Sequence, residues 1–463
     1  MAEQFDVVVI GGGPGGYAAA LYGAAAGLRM AVVERDKVGG TCLHQGCIPA
    51  KQFLETATVF RTVAGAKEFG VVADQPAVDF ATAQARKQKV VDQLWKGLQT
   101  LMKSRKITTV HGTGTLADPR TVKVDDGTEL KAAKAVILAS GSAPRTLPGF
   151  DVDARYVLTS DEVLALDRLP ASAAVIGGGA IGCEFASMLS DLGVQVTILE
   201  ALPKILPGLD TDVADIVVRS FKRRGIDVRT GVKVEGHDPS GDQTTIRLGE
   251  GQTLAVDAIV MSIGRRPLSD TLGLEATAVE VDARGFVMVD DHLRTKERGV
   301  YALGDLVNTP ALAHVGFAEA IVAVKDILGE PAVAVDYQKV PWCIYCFPEV
   351  AFAGLSEQGA KDAGHDVVVA KHRFTASSRA LIIGEAEGLV KVIAERGADG
   401  KAGRLLGVHM VGPWVTEQLA EAYLSVNWEA TPDEISQYIH PHPTLSETFG
   451  ETVMSLTGRG LHG

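Results

Sequence analysis

Apolar and polar positions along the chain fall into a repeated order. DVVVI (6–10) leads into GGGPGG, then into an alanine-rich stretch and a second apolar run, MAVVE, that ends on an acid. An apolar run, a glycine turn, a helix-length segment and a second apolar run predict strand, turn, helix and strand of a parallel unit. The order recurs in AVIGGGAIGCEFASMLSDLGVQVTILE (174–200). First glycine and closing acid are equally spaced in both copies, 34 − 11 = 23 and 200 − 177 = 23. Each copy has a return strand ending in small residues, AVILASG (135–141) and DAIVMSIG (257–264). GVYALGD (299–305) adds a strand ahead of the helical AHVGFAEAIVAVKDILG, and together they read as closing the first unit.

Residues 80–104 keep helical spacing with scattered Lys and Gln, which predicts a solvated helix. Beyond about residue 340, β-rich VAFAGL, HDVVVAKHRF, GLVKVIAE and RLLGVHMVG alternate with helices such as TEQLAEAYLSVNW. That is the pattern of a separate α+β domain. The expected class is α/β, two Rossmann-like dinucleotide-binding domains plus a C-terminal α+β domain. The expected division is 1–145 for the first part of the first nucleotide fold, 146–270 for the second, 271–338 for the segment completing the first and 339–463 for the C-terminal domain.

Charge narrows the partners. A formal net charge of −12 argues against the basic stripe of a nucleic-acid surface and against docking to anionic lipid. No run reaches the roughly 18 apolar residues of a membrane helix without a charge or a glycine cluster. The chain opens directly on a strand-like run, so the expectation is a cytoplasmic protein without a targeting segment, nucleic acid or membrane.

The glycines carry the first chemistry. Gly11, Gly13 and Gly16 supply a tight turn, close approach to a pyrophosphate and close helix–strand packing, and Glu34 stands where a ribose presents its hydroxyls. Gly177, Gly179, Gly182 and Glu200 repeat the set. One such match also arises in packing turns; two with the same spacing and context point to two dinucleotides. A carboxylate at 200 accepts a free 2′-hydroxyl and repels a 2′-phosphate, and the following ALPKIL holds Lys204 but no arginine, which favours NAD over NADP. Two sites imply electron transfer between two carriers. Asp305, at a strand end, is placed to bind a sugar-alcohol hydroxyl such as that of a flavin, although an aspartate after glycine is also an ordinary turn residue.

GGTCLHQGCIPAK (39–51) follows the second strand of the first unit, at the edge where cofactors lie. Its cysteines, Cys42 and Cys47, read as a structural staple, half of a metal site or a redox pair. An iron–sulfur centre needs further thiolates and a zinc site needs paired cysteines or histidines, with only His44 nearby, so no metal is expected. Five positions along a regular helix is too far for a disulfide, so Gly46 or a distorted first turn has to bring the pair together. A helix N-terminus favours thiolate, and a redox disulfide beside a flavin is the leading reading. Cys343 and Cys346 of PWCIYC have thioredoxin-like spacing but a strand-like context, and read as two half-buried strand cysteines.

With GGTCLHQGCIPAK, GVYALGD, FPEVAFAGLSE, FTASSRALIIGEAEG and HPHPTLSE added to the glycine units, the whole chain resembles the flavin-dependent pyridine nucleotide-disulfide oxidoreductases. Among their branches it is most similar to the dihydrolipoamide dehydrogenases. The resemblance implies FAD in the first unit and NAD in the second, with Cys42 as the interchange thiol and Cys47 facing the flavin. It implies that Lys51 lies by the flavin and pairs with Glu184, that Ala180 sits where nicotinamide enters, and that Gly114, Asp305 and Ala313 touch the flavin or its ribityl chain. Ser140 and Gly141 end the first return strand and Gly264 the second, also on the cofactor side; Ser140 replaces the usual threonine and keeps the hydroxyl.

His442 matches the catalytic base and Glu447 the carboxylate that orients it, reaching the disulfide of the other subunit in a homodimer. Thr444–Glu447 also reads as a capping box, and His440 or His442 as surface histidines. Implied partners are lipoyl domains of 2-oxo acid dehydrogenase acyltransferases or a glycine cleavage H-protein. Glutathione- and mycothiol-type reductases run the other way with NADPH, against which Glu200 counts. His44-Gln45 and Ala50 depart from the family's usual residues between the cysteines and before the lysine.

Overall fold

The computed structural model describes residues 3–462, and strand counts below are of these residues. β1 (Glu3–Ile10) ends in four consecutive buried apolar residues, because it lies mid-sheet with both faces covered. It is followed by α1 (Pro14–Ala25), β2 (Met30–Glu34), α2 (Gly40–His44), α3 (Cys47–Gly65) and α4 (Phe80–Ser104). The last starts at an Asp79 cap whose carboxylate accepts the Thr82 amide at 3.1 Å, and its mostly polar surface is the solvated helix that the spacing predicts. β3 (Thr108–His111) returns beside β2, β4 (Gly114–Asp118) and β5 (Thr121–Val124) pair antiparallel, and β6 (Glu129–Leu138) lies parallel to β1.

The chain leaves through β7 (Ser142–Pro144) into a second unit. β8 (Val157–Leu158), α5 (Ser160–Ala165), β9 (Ser172–Ile176), α6 (Ala180–Asp191), β10 (Gln195–Glu200), α7 (Thr211–Arg223) and β11 (Asp227–Thr230) build it. β12 (Val234–Ser240), β13 (Gln243–Leu248) and β14 (Thr253–Val256) form an antiparallel ribbon before β15 (Ala258–Met261) completes a parallel sheet ordered β11-β10-β9-β15-β8. The hydrophobic pattern does not predict that ribbon, since VEGHDPS has Val234 as its one large apolar residue and no alternation. β16 (Arg265–Pro267) leads back and pairs antiparallel with β7.

β17 (Val300–Ala302) then lies parallel to the second half of β6, beyond the stretch that β5 pairs, and gives the first sheet seven strands. α8 (Ala313–Leu328) packs on α1 through Ala20 and Ala323. Their backbones cross closely, for a Cβ on Gly316 would lie 3.3 Å from the Gly15 nitrogen.

β18 (Trp342–Ile344), β19 (Glu349–Gly354), α9 (Glu357–Asp362), β20 (Val367–Arg373), α10 (Ser378–Ile382), β21 (Leu389–Arg396) and β22 (Ala402–Gly412) form an antiparallel sheet ordered β18-β19-β22-β21-β20. α11 (Val415–Asn427), α12 (Pro432–Ile435) and α13 (Glu447–Leu456) complete the C-terminal part, and Leu419, Ala422, Phe449 and Val453 join Val392 and Met410 in its core. One expectation is corrected here. Cys343 is a half-buried strand cysteine, but Cys346 lies past the end of β18 and is 1% exposed, packed with Cys183 and Val350. Among the described residues, no helix is long and apolar enough to cross a membrane.

Candidate active site

The two glycine turns are built alike, down to the hydrogen bonds of their acids. A Cβ on Gly11 would fall 2.2 Å from the Ala139 carbonyl oxygen and one on Gly16 would fall 1.9 Å from that of Gly11, so both glycines are forced by packing. In the second unit Gly177 meets Ser262 O at 2.4 Å and Gly182 meets Gly177 O at 1.9 Å in the same test. At the middle glycines, Gly13 and Gly179, a Cβ would meet nothing within 4 Å, which is the open approach that a pyrophosphate requires. Glu34 accepts from the Gly12 amide at 2.6 Å and the Asp36 amide at 2.9 Å; Glu200 accepts from Gly178 at 2.6 Å and Leu202 at 2.8 Å. These bonds fix each carboxylate at the end of its strand.

A cavity of about 370 Å³ runs from the first glycine turn to the start of α6. It brings Gly11, Gly13, Glu34, Cys42, Cys47, Lys51, Gly114, Ser140, Gly141, Ala180, Glu184, Asp305 and Ala313 to one wall system. Gly16 of the first turn and Gly177, Gly179, Gly182, Glu200 and Gly264 of the second unit lie outside its lining. Ser140 turns its hydroxyl to the Leu268 carbonyl at 2.8 Å.

The redox turn is two helices, not one. α2 ends at His44, Gln45 and Gly46 leave helical geometry, and α3 starts at Cys47. That break lets two cysteines five positions apart meet. Both are free thiols, and Cys42 donates a hydrogen bond to Cys47. The bond pulls Cys47 down to about 7; burial opposes it and the Lys51 ammonium assists. The same bond, together with burial, pushes Cys42 far above the usual thiol range. Cys47 therefore ionises first. A titration of thiolate absorbance in the reduced protein should show one ionisation near pH 7, and Lys51→Met should move it up by roughly one pH unit or more.

Helical spacing sets the charge beside that thiolate. Lys51 is one turn after Cys47 on α3, and Glu184 one turn after Ala180 on α6. Lys51 Nζ donates to both Glu184 oxygens, at 2.9 and 2.8 Å, and lies over the Tyr345 ring at 4.9 Å. The Tyr345 amide donates to the same carboxylate at 2.9 Å. Burial disfavours the ammonium, but Glu184 outweighs it and raises the Lys51 pKa.

At the other end Asp305 Oδ2 accepts from Ser142 Oγ at 2.6 Å, and Arg265 Nε donates to that hydroxyl at 2.6 Å. The turn carrying Asp305 is held by Glu319, fully buried, which accepts from the Gly304 amide at 2.6 Å, Thr309 at 2.7 Å and Tyr337 at 3.0 Å. Sequence reasoning missed Ser142, Arg265, Glu319, Tyr345 and the wall position of Cys343; apart from the arginine pair after β15, nothing in their neighbourhoods signals a role. His44, the departure from the family pattern between the cysteines, donates from Nε2 to the Val38 carbonyl at 3.0 Å and sets its ring edge-on to Trp95.

The C-terminal pair stands apart. His442 Nδ1 bonds Glu447 Oε1 at 2.8 Å while Glu447 Oε2 accepts the Thr444 amide at 2.6 Å. This is half of the anticipated capping box: Thr444 Oγ1 donates to Pro441 O instead of accepting from the helix. Burial works against the Glu447 carboxylate, yet the Thr444 amide and His442 bring its pKa below the ordinary value. His442 is 72% exposed and lines no part of the cavity within its own chain. His440 bonds Glu421 at 2.8 Å.

A family model described as pyridine nucleotide-disulphide oxidoreductase matches residues 5–320, and the model of the same family's dimerisation domain matches 340–453. The chain belongs to the pyridine nucleotide-disulphide oxidoreductase family. Among its relatives, a dihydrolipoyl dehydrogenase of Bacillus subtilis is 43% identical over the full length of both chains, and one of Mycobacterium tuberculosis is 39% identical over 99% of each. Solved family structures superpose closely. LpdA of Mycobacterium tuberculosis gives a TM-score of 0.91 at 25% identity over 98% of this chain and 100% of its own. The HOCl-induced flavoprotein disulfide reductase RclA of Escherichia coli gives 0.87 at 26%, over 97% and 99%. Among the described residues, no group of three or more His, Cys, Asp or Glu is placed to hold a metal ion.

Proposed function

We propose that the chain is an FAD-containing, NAD-dependent dihydrolipoyl dehydrogenase acting as a homodimer on lipoyl groups carried by acyltransferase or H-protein domains. The observation that carries the reading is the Cys42–Cys47 dithiol, with the Lys51–Glu184 pair beside it, on the wall of a cavity that also holds the first glycine turn. The full-length dihydrolipoyl dehydrogenase relatives support the substrate, and the dimerisation-domain match supports the homodimer. The residues fit a flavin dinucleotide: Gly13 leaves open space at the turn, Glu34 closes the strand, and Asp305 and Gly114 lie further along the same cavity. In this reading the FAD unit is assigned 1–145 and 271–338, the NAD unit 146–270, and the dimerisation part 339–463.

The oxidised enzyme carries a Cys42–Cys47 disulfide. A dihydrolipoyl thiol gives its proton to His442 of the partner subunit and attacks Cys42, releasing Cys47 as thiolate beside Lys51. The second lipoyl thiol then attacks the lipoyl sulfur of the mixed disulfide, so lipoyl leaves as a cyclic disulfide, the imidazolium gives its proton to the departing Cys42 sulfur, and the partner's His442 takes up the proton of the second thiol. Glu447, bonded to the imidazole's other nitrogen, stabilises the imidazolium between these transfers. A flavin held along the first glycine turn, Glu34, Gly114 and Asp305 would supply the two-electron relay between this dithiol and NAD⁺.

Purified protein should reduce NAD⁺ with dihydrolipoamide. Turnover confined to glutathione or mycothiol disulfide with NADPH would overturn the proposal. Because Glu200 meets the ribose edge, kcat/KM for NAD⁺ should exceed that for NADP⁺ by at least roughly a hundredfold, and Glu200→Ala should narrow the ratio.

A further inference from the structure

The C-terminal sheet carries a buried cation that the proposed chemistry does not use. Lys391 on β21 is 2% exposed. Its ammonium reaches Asp210 Oδ1 at 2.9 Å, Asp212 Oδ2 at 2.7 Å and Glu357 Oε2 at 2.7 Å. Asp210 is itself buried, caps α7 through the Asp212 amide at 3.1 Å and accepts the Glu357 amide at 3.2 Å. Across the sheet the neighbour of Lys391 is His409, whose buried ring stacks on Phe352 at 5.2 Å and stays neutral, burial pushing it down to about 4. Burial also works against the lysine, and the three carboxylates more than offset it.

What this ammonium holds is the far end of the segment 201–210. That segment leaves Glu200 directly: the Leu202 amide donates to Glu200 at 2.8 Å and the Leu206 amide to the Gly178 carbonyl at 2.7 Å. Ile205 fills the space beside the second glycine turn, where a Cβ on Gly178 would lie 2.5 Å from it. The segment is thus fixed at one end to the nucleotide turn and at the other to a sheet of a different unit. A desolvated ion cluster adds little net stability over packed apolar groups, whereas it fixes position sharply.

We propose that Lys391 is a positioning residue for the pyridine nucleotide: it anchors segment 201–210 from the C-terminal sheet and so holds Glu200 and the Gly177–Gly182 turn in the geometry that binds NAD. The inference rests on the assignment of the second unit to NAD. It predicts coupling to the nucleotide half of the cycle only, because Cys42, Cys47 and the first turn receive no contact from this cluster.

The test uses the flavin-loaded dimer. NADH affinity is measured by equilibrium titration, and flavin reduction by dihydrolipoamide is followed anaerobically without NAD⁺. Lys391→Met should weaken NADH binding by about two- to thirtyfold and leave flavin reduction within about twofold of the parent. Lys391→Arg should restore part of the affinity. Because Lys391→Met strands Asp210, the double variant Lys391→Met/Asp210→Asn is made as well; it should regain thermal stability without regaining NADH affinity. Parental NADH affinity in Lys391→Met, or affinity that returns with stability in the double variant, would overturn the proposal. A parent enzyme that reduces its flavin but binds NADPH in preference to NADH would instead sink the NAD assignment.

Discussion

Cys47→Ser loses dihydrolipoamide–NAD⁺ turnover, by roughly a thousandfold or more, while the protein still folds and retains flavin. A serine cannot form the disulfide that accepts the electron pair, and its hydroxyl does not ionise near neutral pH as the Cys47 thiol does at about 7. The loss should appear in kcat and kcat/KM alike. Direct oxidation of NADH by a quinone acceptor, which bypasses the dithiol, should survive, and this separates removal of the thiol from collapse of the site. Cys42→Ser should also lose turnover but leave the flavin-side thiol in place. Without its hydrogen-bond donor, that thiol should ionise at higher pH than in the parent. A Cys47→Ser enzyme retaining a tenth of the parental turnover would remove the dithiol from the mechanism.

His442→Gln is the second large effect, with an expected fall of about 10²- to 10⁴-fold in dihydrolipoamide oxidation. The glutamine keeps much of the size and hydrogen bonding but cannot take the thiol proton. Glu447→Gln should cost less, since the imidazole stays and only the partner of Nδ1 loses its charge. Mixed dimers give the cleaner measurement. Cys47→Ser and His442→Gln chains, each inactive as homodimers, should regain one site of the two in each mixed dimer, about half the parental turnover per mixed dimer, because a single interface then pairs an intact dithiol with an intact histidine. No recovery would mean that dithiol and base act within one chain.

Much of this architecture was readable from the residues. The equal spacing of Gly11 to Glu34 and Gly177 to Glu200 corresponds to two turns with the same pair of acid-to-amide bonds, because strand, turn and helix lengths leave a single geometry for the closing carboxylate. The spacing of Cys42 and Cys47 demanded a break in the helix, and the break falls at Gln45–Gly46. Other parts were silent for a physical reason. Ser142 and Asp305 meet from 163 positions apart and Arg265 joins from 123 away, so no local pattern marks them. In the ribbon β12–β14 the apolar face comes mainly from Ile246, Leu248 and Val256, and β12 adds only Val234, so its first strand gives no pattern. Thr444 and Glu447 have the letters of a capping box, yet Glu447 divides its two oxygens between the Thr444 amide and His442, a choice that depends on how His442 approaches.

The pairing of β7 with β16 has a consequence for the order in which the chain becomes complete during synthesis. The second unit receives its last parallel strand, β15, by residue 261, whereas the first sheet waits for β17 at 300–302 and for α8 after it. The segment made first on the ribosome is therefore finished after the unit inserted into it. During that interval the edge of β6 that β17 will cover and the apolar face of α1 stay open, while the inserted unit already has every strand of its sheet. The flavin cavity, closed by Asp305 and Ala313, belongs to the late-forming part, so cofactor capture follows nucleotide-unit folding in time although the glycine turn that starts it is among the first residues made.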